Sequence, residues 1–121
     1  MAACKIVASQ NQWNVSIAIV DEAGYLLRLE RLDGAVLQSP EIAILKAKTA
    51  ALSRVPTKAL EEVVKERPST VSFPNRLSVQ GGLPILYEGE CIGGVGVSGV
   101  KSHEDETVAG AGINALQLKR V

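Results

Sequence analysis

Four of the chain's 11 glycines fall within residues 93–99, Gly-Gly-Val-Gly-Val-Ser-Gly. Residues 94–99 match G-x-G-x-x-G, which marks a dinucleotide site only when it follows a strand and opens a helix. Here Gly94, Gly96 and Gly99 sit within an apolar alternation that begins at Cys91, and the next helix opens with Glu104-Asp105-Glu106. Three acids there would repel a pyrophosphate. The run is therefore predicted to be a strand or strand end and not a phosphate loop, so bare of side chains that another backbone or a flat ligand passes closely over it.

The other elements are read around that strand. Residues 2–11 hold one or two helical turns, the end of a longer helix. Val15, Ile17 and Ile19 alternate with smaller residues, and Leu27 and Leu29 alternate with Arg28 and Glu30. With Asp21–Gly24 as a turn, residues 14–31 are predicted to form a β-hairpin. Ser39-Pro40-Glu41 announces a helix, with Ser39 as N-cap and Pro40 at the first helical position, running to about Ser53. Thr57 caps a shorter helix that closes before Pro68. Residues 68–84 are the irregular part. Leu83–Tyr87 and Cys91–Ser98 form a second hairpin, and Ser102 with Asp105 caps a last helix. That helix carries Val108, Ala111, Gly112, Ala115 and Leu118 on one face, with Lys119 and Arg120 at its end. Two hairpins separated by helices predict one α+β domain over residues 1–121, an antiparallel sheet with helices packed on it.

Composition removes several functions. Lys plus Arg is 13 and Asp plus Glu is 13, so net charge is zero and the basic footprint of a nucleic-acid binder is missing. Aromatics are 3%, too few for base-stacking platforms. Near-zero charge and Ala/Gly-rich helices favour self-association, so a homo-oligomer is expected. No stretch is apolar enough for a membrane span. Two cysteines, Cys4 and Cys91, make no disulfide framework and suit a reduced, cytoplasmic setting. One His and two Cys do not supply a structural zinc site.

The residues name no catalytic constellation. His103 is an exposed helix-start residue, or else a lone haem-iron ligand. Cys4 and Cys91 have no histidine or cationic neighbour and read as inert. Asp21, Glu22 and Asp33 read as turn acids. Of Lys46 and Lys48, one is expected to face solvent while the other reaches an anionic ligand.

Several segments, taken in order, carry a family resemblance. They are Val15–Asp21, Ala23-Gly24, Arg31–Ala35, Lys46–Ala50, Gly81–Ile85 and Ile92–Gly99, with Asp105 and Ala109 behind. Over about residues 13–118 this series resembles the GlcG/HbpS-like family of haem-binding or haem-degrading domains. The same domain forms the C-terminal part of some corrinoid adenosyltransferases of propanediol-utilisation operons. The resemblance implies a profilin-like fold, a longer first helix than this chain shows, and symmetric oligomers.

It also implies a ligand site at Arg31, Asp33, Lys46, Gly81, Gly82, Pro84, Ser98 and Gly99; the residues themselves name no catalytic residue and no metal site. Haem or another tetrapyrrole with carboxylate arms is the ligand it implies. Turn geometry and subunit contacts explain the same residues equally well. Two further readings stand beside it. One is a non-catalytic accessory protein of a glycolate, glycerol or propanediol operon acting through protein partners. The other is an enzyme acting on a small acid or on haem.

Overall fold

The structure is a computed structural model describing residues 1–116. Leu118, Lys119 and Arg120, expected on the last helix, lie outside the described residues. The chain runs α1 (Ala2–Gln10), β1 (Ser16–Asp21), β2 (Leu26–Arg31), α2 (Ser39–Ser53), α3 (Thr57–Glu66), a 3-10 turn (Pro68–Ser72), β3 (Gly82–Tyr87), β4 (Glu90–Ser98) and α4 (Ser102–Ala115). The four strands make one antiparallel sheet in the order β2-β1-β4-β3. The predicted α+β class, a sheet flanked by helices, is what forms.

Helices pack on both faces of the sheet. Val15 and Ile17 of the β1 segment, Val95, Val97 and Ile85 pack with Cys4 and Ala8 of α1 and Val108 and Ala109 of α4. On the opposite face, Ala18 and Val20 meet Ala43, Ala47 and Ala51 of α2. The glycine run explains this second layer. A Cβ on Gly94 would strike the Ala47 carbonyl, and one on Gly96 would strike Ala43 and Ala47 backbone atoms. So α2 lies with its backbone directly on β4, an approach its alanines also permit. What passes over the glycines is another backbone.

Ser39 is the first residue of α2 and not its side-chain cap. Its hydroxyl donates to the Val36 carbonyl at 2.6 Å and pairs with the Ser16 hydroxyl at 2.8 Å, binding the helix start to β1. Thr57 is likewise drawn away from capping: its Oγ1 accepts the Gly82 N–H at 2.9 Å. At α4 the capping pair is shifted by one residue. Glu104 accepts the Lys101 N–H at 3.2 Å, which frees Asp105 for another role.

The predicted strand forms as β2, with Leu27 and Leu29 exposed, as are Tyr25 and Leu26. β2 is an edge strand, and α2 sits over β1, β4 and β3 instead of over it.

Candidate functional site

Lys46 sits on α2 and is only 3% exposed. Its ammonium donates to Asp105 Oδ2 and to the Val97 carbonyl, each at 3.0 Å. The other Asp105 oxygen, Oδ1, accepts the Val100 N–H at 3.2 Å. Asp105 opens α4 on the opposite face, so this pair connects the two helical layers. Burial pushes the Asp105 carboxyl above the ordinary carboxylate range, and the Lys46 charge opposes that rise.

Gly81 makes room for the pair. It has φ +131°, and a Cβ there would lie 2.7 Å from Lys46 Nζ. Gly82 meets the Lys46 carbonyl in the same way. Of the predicted ligand residues, Lys46, Gly81 and Gly82 are therefore brought together as an internal strut. The expectation that Lys46 reaches an anionic ligand is corrected, because its charge is already neutralised inside the chain. Lys48, half-buried, lies across Gly24. Pro84 is buried on β3 opposite Gly94, at a sheet edge where its missing N–H costs no ladder bond.

The other predicted residues meet at a different place. Ser16 pairs with Arg31 on one side and Ser98 on the other, so Arg31, Ser16 and Ser98 form one row across the sheet. Antiparallel partners share a face. The row lies on the α2 face, beside the Ser39 start of that helix. Gly99, φ +144°, packs against the Asn14 backbone, and Gly34 packs against the Asn14 side chain. Asp33 lines a cavity of about 440 Å³ with Trp13, Asn14 and Leu32. Arg31, Asp33, Ser98 and Gly99 thus gather at one end of the sheet, with Arg31 and Ser98 on the α2 face and the half-buried Trp13 ring forming a flat wall on the α1 side. His103 is exposed in the first turn of α4, four residues beyond Gly99.

Sequence reasoning missed Arg76. Its guanidinium stacks 4.9 Å from the Phe73 ring centroid, and its buried Nε has no hydrogen-bond partner. It borders a cavity of about 460 Å³ with Thr49, Ser53 and Asn75, near the other end of α2. The only sequence signal was that it falls in the irregular connection. Cys4 is buried and burial raises its thiol pKa, while Cys91 donates to the Gly93 carbonyl at 3.3 Å. Among the described residues, no group of three His, Cys, Asp or Glu could hold a metal ion, and no helix is long and apolar enough to cross a membrane.

A four-stranded antiparallel sheet between helical layers, with its chemistry at the strand ends, defines a class of small α+β domains. The particular family follows from comparison: residues 1–114 match the model for the haem degrading protein HbpS-like family, and the chain belongs to it. GlcG of Escherichia coli K12 is 43% identical over 99 residues, 81% of this chain and 74% of that protein. The corrinoid adenosyltransferase PduO of Salmonella typhimurium LT2 is 31% identical over 116 residues, 92% of this chain but 34% of the enzyme. Among solved structures, a Streptomyces reticuli HbpS double mutant superposes with a TM-score of 0.90 at 34% identity, covering 95% of this chain and 80% of that one. A PduOC:heme complex gives 0.89 at 29% identity, covering 98% and 89%.

Proposed function

We propose that this chain is a self-associating small-molecule binder whose ligand is haem or a similar tetrapyrrole. The observation that carries this reading is the likeness, over 98% of the chain, to a domain crystallised as a haem complex. The strand-end cluster suits such a ligand. Trp13 supplies an apolar wall to the cavity beside Asp33, and the Arg31 cation stands at the same end of the sheet on the opposite, α2 face. A guanidinium in that position makes charge-assisted hydrogen bonds to a carboxylate arm. The bound iron porphyrin would supply the redox centre, while Trp13 would pack against it and Arg31, at the edge of the sheet end, would reach a carboxylate arm. Lys46 takes no part beyond holding the fold.

The test is titration of the purified protein with haemin, followed by absorbance. A shifted Soret band saturating at one haemin per subunit is expected. A flat titration would overturn the reading and favour an accessory protein acting through protein partners.

A further inference from the structure

The sheet has two edges, and only one is closed. On β3, the Val97 N–H bonds to the Gly81 carbonyl, so Gly82 and Pro84 turn their peptide groups outward. The Gly82 N–H is taken by Thr57 Oγ1, and Pro84 has no N–H. That stretch of the edge offers no free N–H donor to a further strand. On β2, the Leu32 N–H bonds to the Val15 carbonyl, which sets the alternation in the opposite sense. Leu29 and Arg31 therefore direct their N–H and C=O groups away from β1 into open space. The same strand carries Leu26 at 45%, Leu27 at 62% and Leu29 at 38% exposure. Exposed leucines on an open, proline-free edge make a template for another strand.

We propose that this edge is the contact with a second copy of the chain: β2 pairs antiparallel with β2 of that copy, on a two-fold axis through Leu29. This deepens the self-association in the proposed function and rests on it. The charge pattern selects the register. With the axis at Leu29, Arg28 lies opposite Glu30 of the second copy, and Glu30 opposite its Arg28. These charges share the α1/α4 face with Ile17 and Ile19. Lys5 holds one Glu30 oxygen at 2.9 Å, which leaves the other for the arginine. On the α2 face Leu29 meets Leu29, and Leu27 lies against the Arg31 stem. An axis at Arg28, Glu30 or Arg31 would set like charges opposite each other, which destabilises an antiparallel pair. An axis at Leu27 would leave Arg28 facing Leu26 and Glu30 facing Gly24. Each copy has one open edge and this contact uses it, so pairing closes at two subunits and makes one eight-stranded sheet.

Light scattering and cysteine cross-linking test the proposal. The wild-type mass should be an even multiple of 12.8 kDa, and Leu29→Lys should halve it. Leu29 belongs to neither core cluster, so the lysine leaves the subunit folded, which circular dichroism would verify. Arg28→Glu should also weaken association, with added salt restoring it by screening the new Glu–Glu repulsion. Mild oxidation of Leu29→Cys should give a covalent dimer on a non-reducing gel, because paired Cα atoms stand about 5.5 Å apart. Wild type, with Cys4 buried and Cys91 half-buried, and Leu27→Cys should not. Should Leu29→Lys fail to fold, the cross-link decides alone. An assembly that keeps its mass with Leu29→Lys, or Leu27→Cys cross-linking in place of Leu29→Cys, would overturn the proposed edge or register. A wild-type monomer would overturn self-association as well, and haemin binding is judged separately.

Discussion

Lys46 and Asp105, 59 residues apart in sequence, meet at 3.0 Å with each side chain 3% exposed. The lysine starts on the helix that covers one face of the sheet, and the acid opens a helix on the other. The pair thus fixes the two outer layers relative to each other, across the site where Gly81 leaves room. Taking two charges out of water is costly, and the interaction recovers that cost only while both partners are present.

Replacing Lys46 by methionine should therefore destabilise the protein strongly, by about 3–5 kcal/mol at neutral pH. The carboxylate would remain buried with only the Val100 N–H to satisfy it. The double variant Lys46→Met with Asp105→Leu removes both charges and should recover much of that loss. Urea melts of the two variants check this. A double variant as unstable as the single one would mean that the loss comes from packing and not from the stranded charge.

The Lys46→Met deficit should depend on pH with a defined sign. Burial already raises the Asp105 carboxyl, and Lys46 is the main influence lowering it. Without Lys46 the folded-state pKa rises further above the unfolded value of about 3.9. A raised folded pKa means that the native state binds the proton more tightly. The associated stability is fully present below about pH 3.9 and is lost as pH climbs through the folded value. The deficit relative to wild type should be smallest in acid and grow toward neutrality. Melts from pH 4 to pH 8 that show a constant deficit would contradict this.

Gly96 and Gly110 should respond oppositely to alanine. At Gly96 the added methyl meets backbone atoms of Ala43 and Ala47, which cannot swing aside. Overpacking of this kind costs about 1–3 kcal/mol, and a rigid backbone neighbour puts Gly96→Ala at the upper end. Gly110 lies within α4, where its new methyl would find only Leu83 Cδ1 at 3.8 Å, an ordinary contact. Gly110→Ala should stabilise the helix by about 0.5–1 kcal/mol. Thermal denaturation of the two variants compares the signs directly.

Much of this was legible locally. Ser39-Pro40 and Pro56 place the ends of α2 and the start of α3 because proline fixes its own backbone and ends what precedes it. The Gly93–Gly99 run announced a close approach without saying whose. What stayed hidden was non-local. Nothing near Lys46 in sequence points to Asp105, so its charge looked available for a ligand. Alternation in Leu27-Arg28-Leu29-Glu30 shows that β2 has two unlike faces, but not that α2 leaves the leucine face uncovered. Arg76 was invisible for a third reason: it sits in a connection with no periodicity, where only folding shows which side chain borders a cavity.

The placement of the ligand site gives the last prediction. If the strand-end cluster receives a carboxylate arm, Arg31→Ala should remove a charge-assisted hydrogen bond worth about 1.5–3 kcal/mol. Haemin affinity should then fall by roughly tenfold or more. Arg76→Ala is the comparison, because its unpartnered Nε borders the cavity at the other end of α2. His103→Ala is the second comparison, being exposed beside Glu104 and Asp105, whose charges disfavour an anionic ligand there. Of the three, only Arg31→Ala should weaken the Soret titration substantially. Loss confined to Arg76→Ala would move the site to the Thr49–Ser53 cavity. Loss confined to His103→Ala would make axial ligation by the chain's one histidine the principal contact, with the carboxylate arms left to solvent.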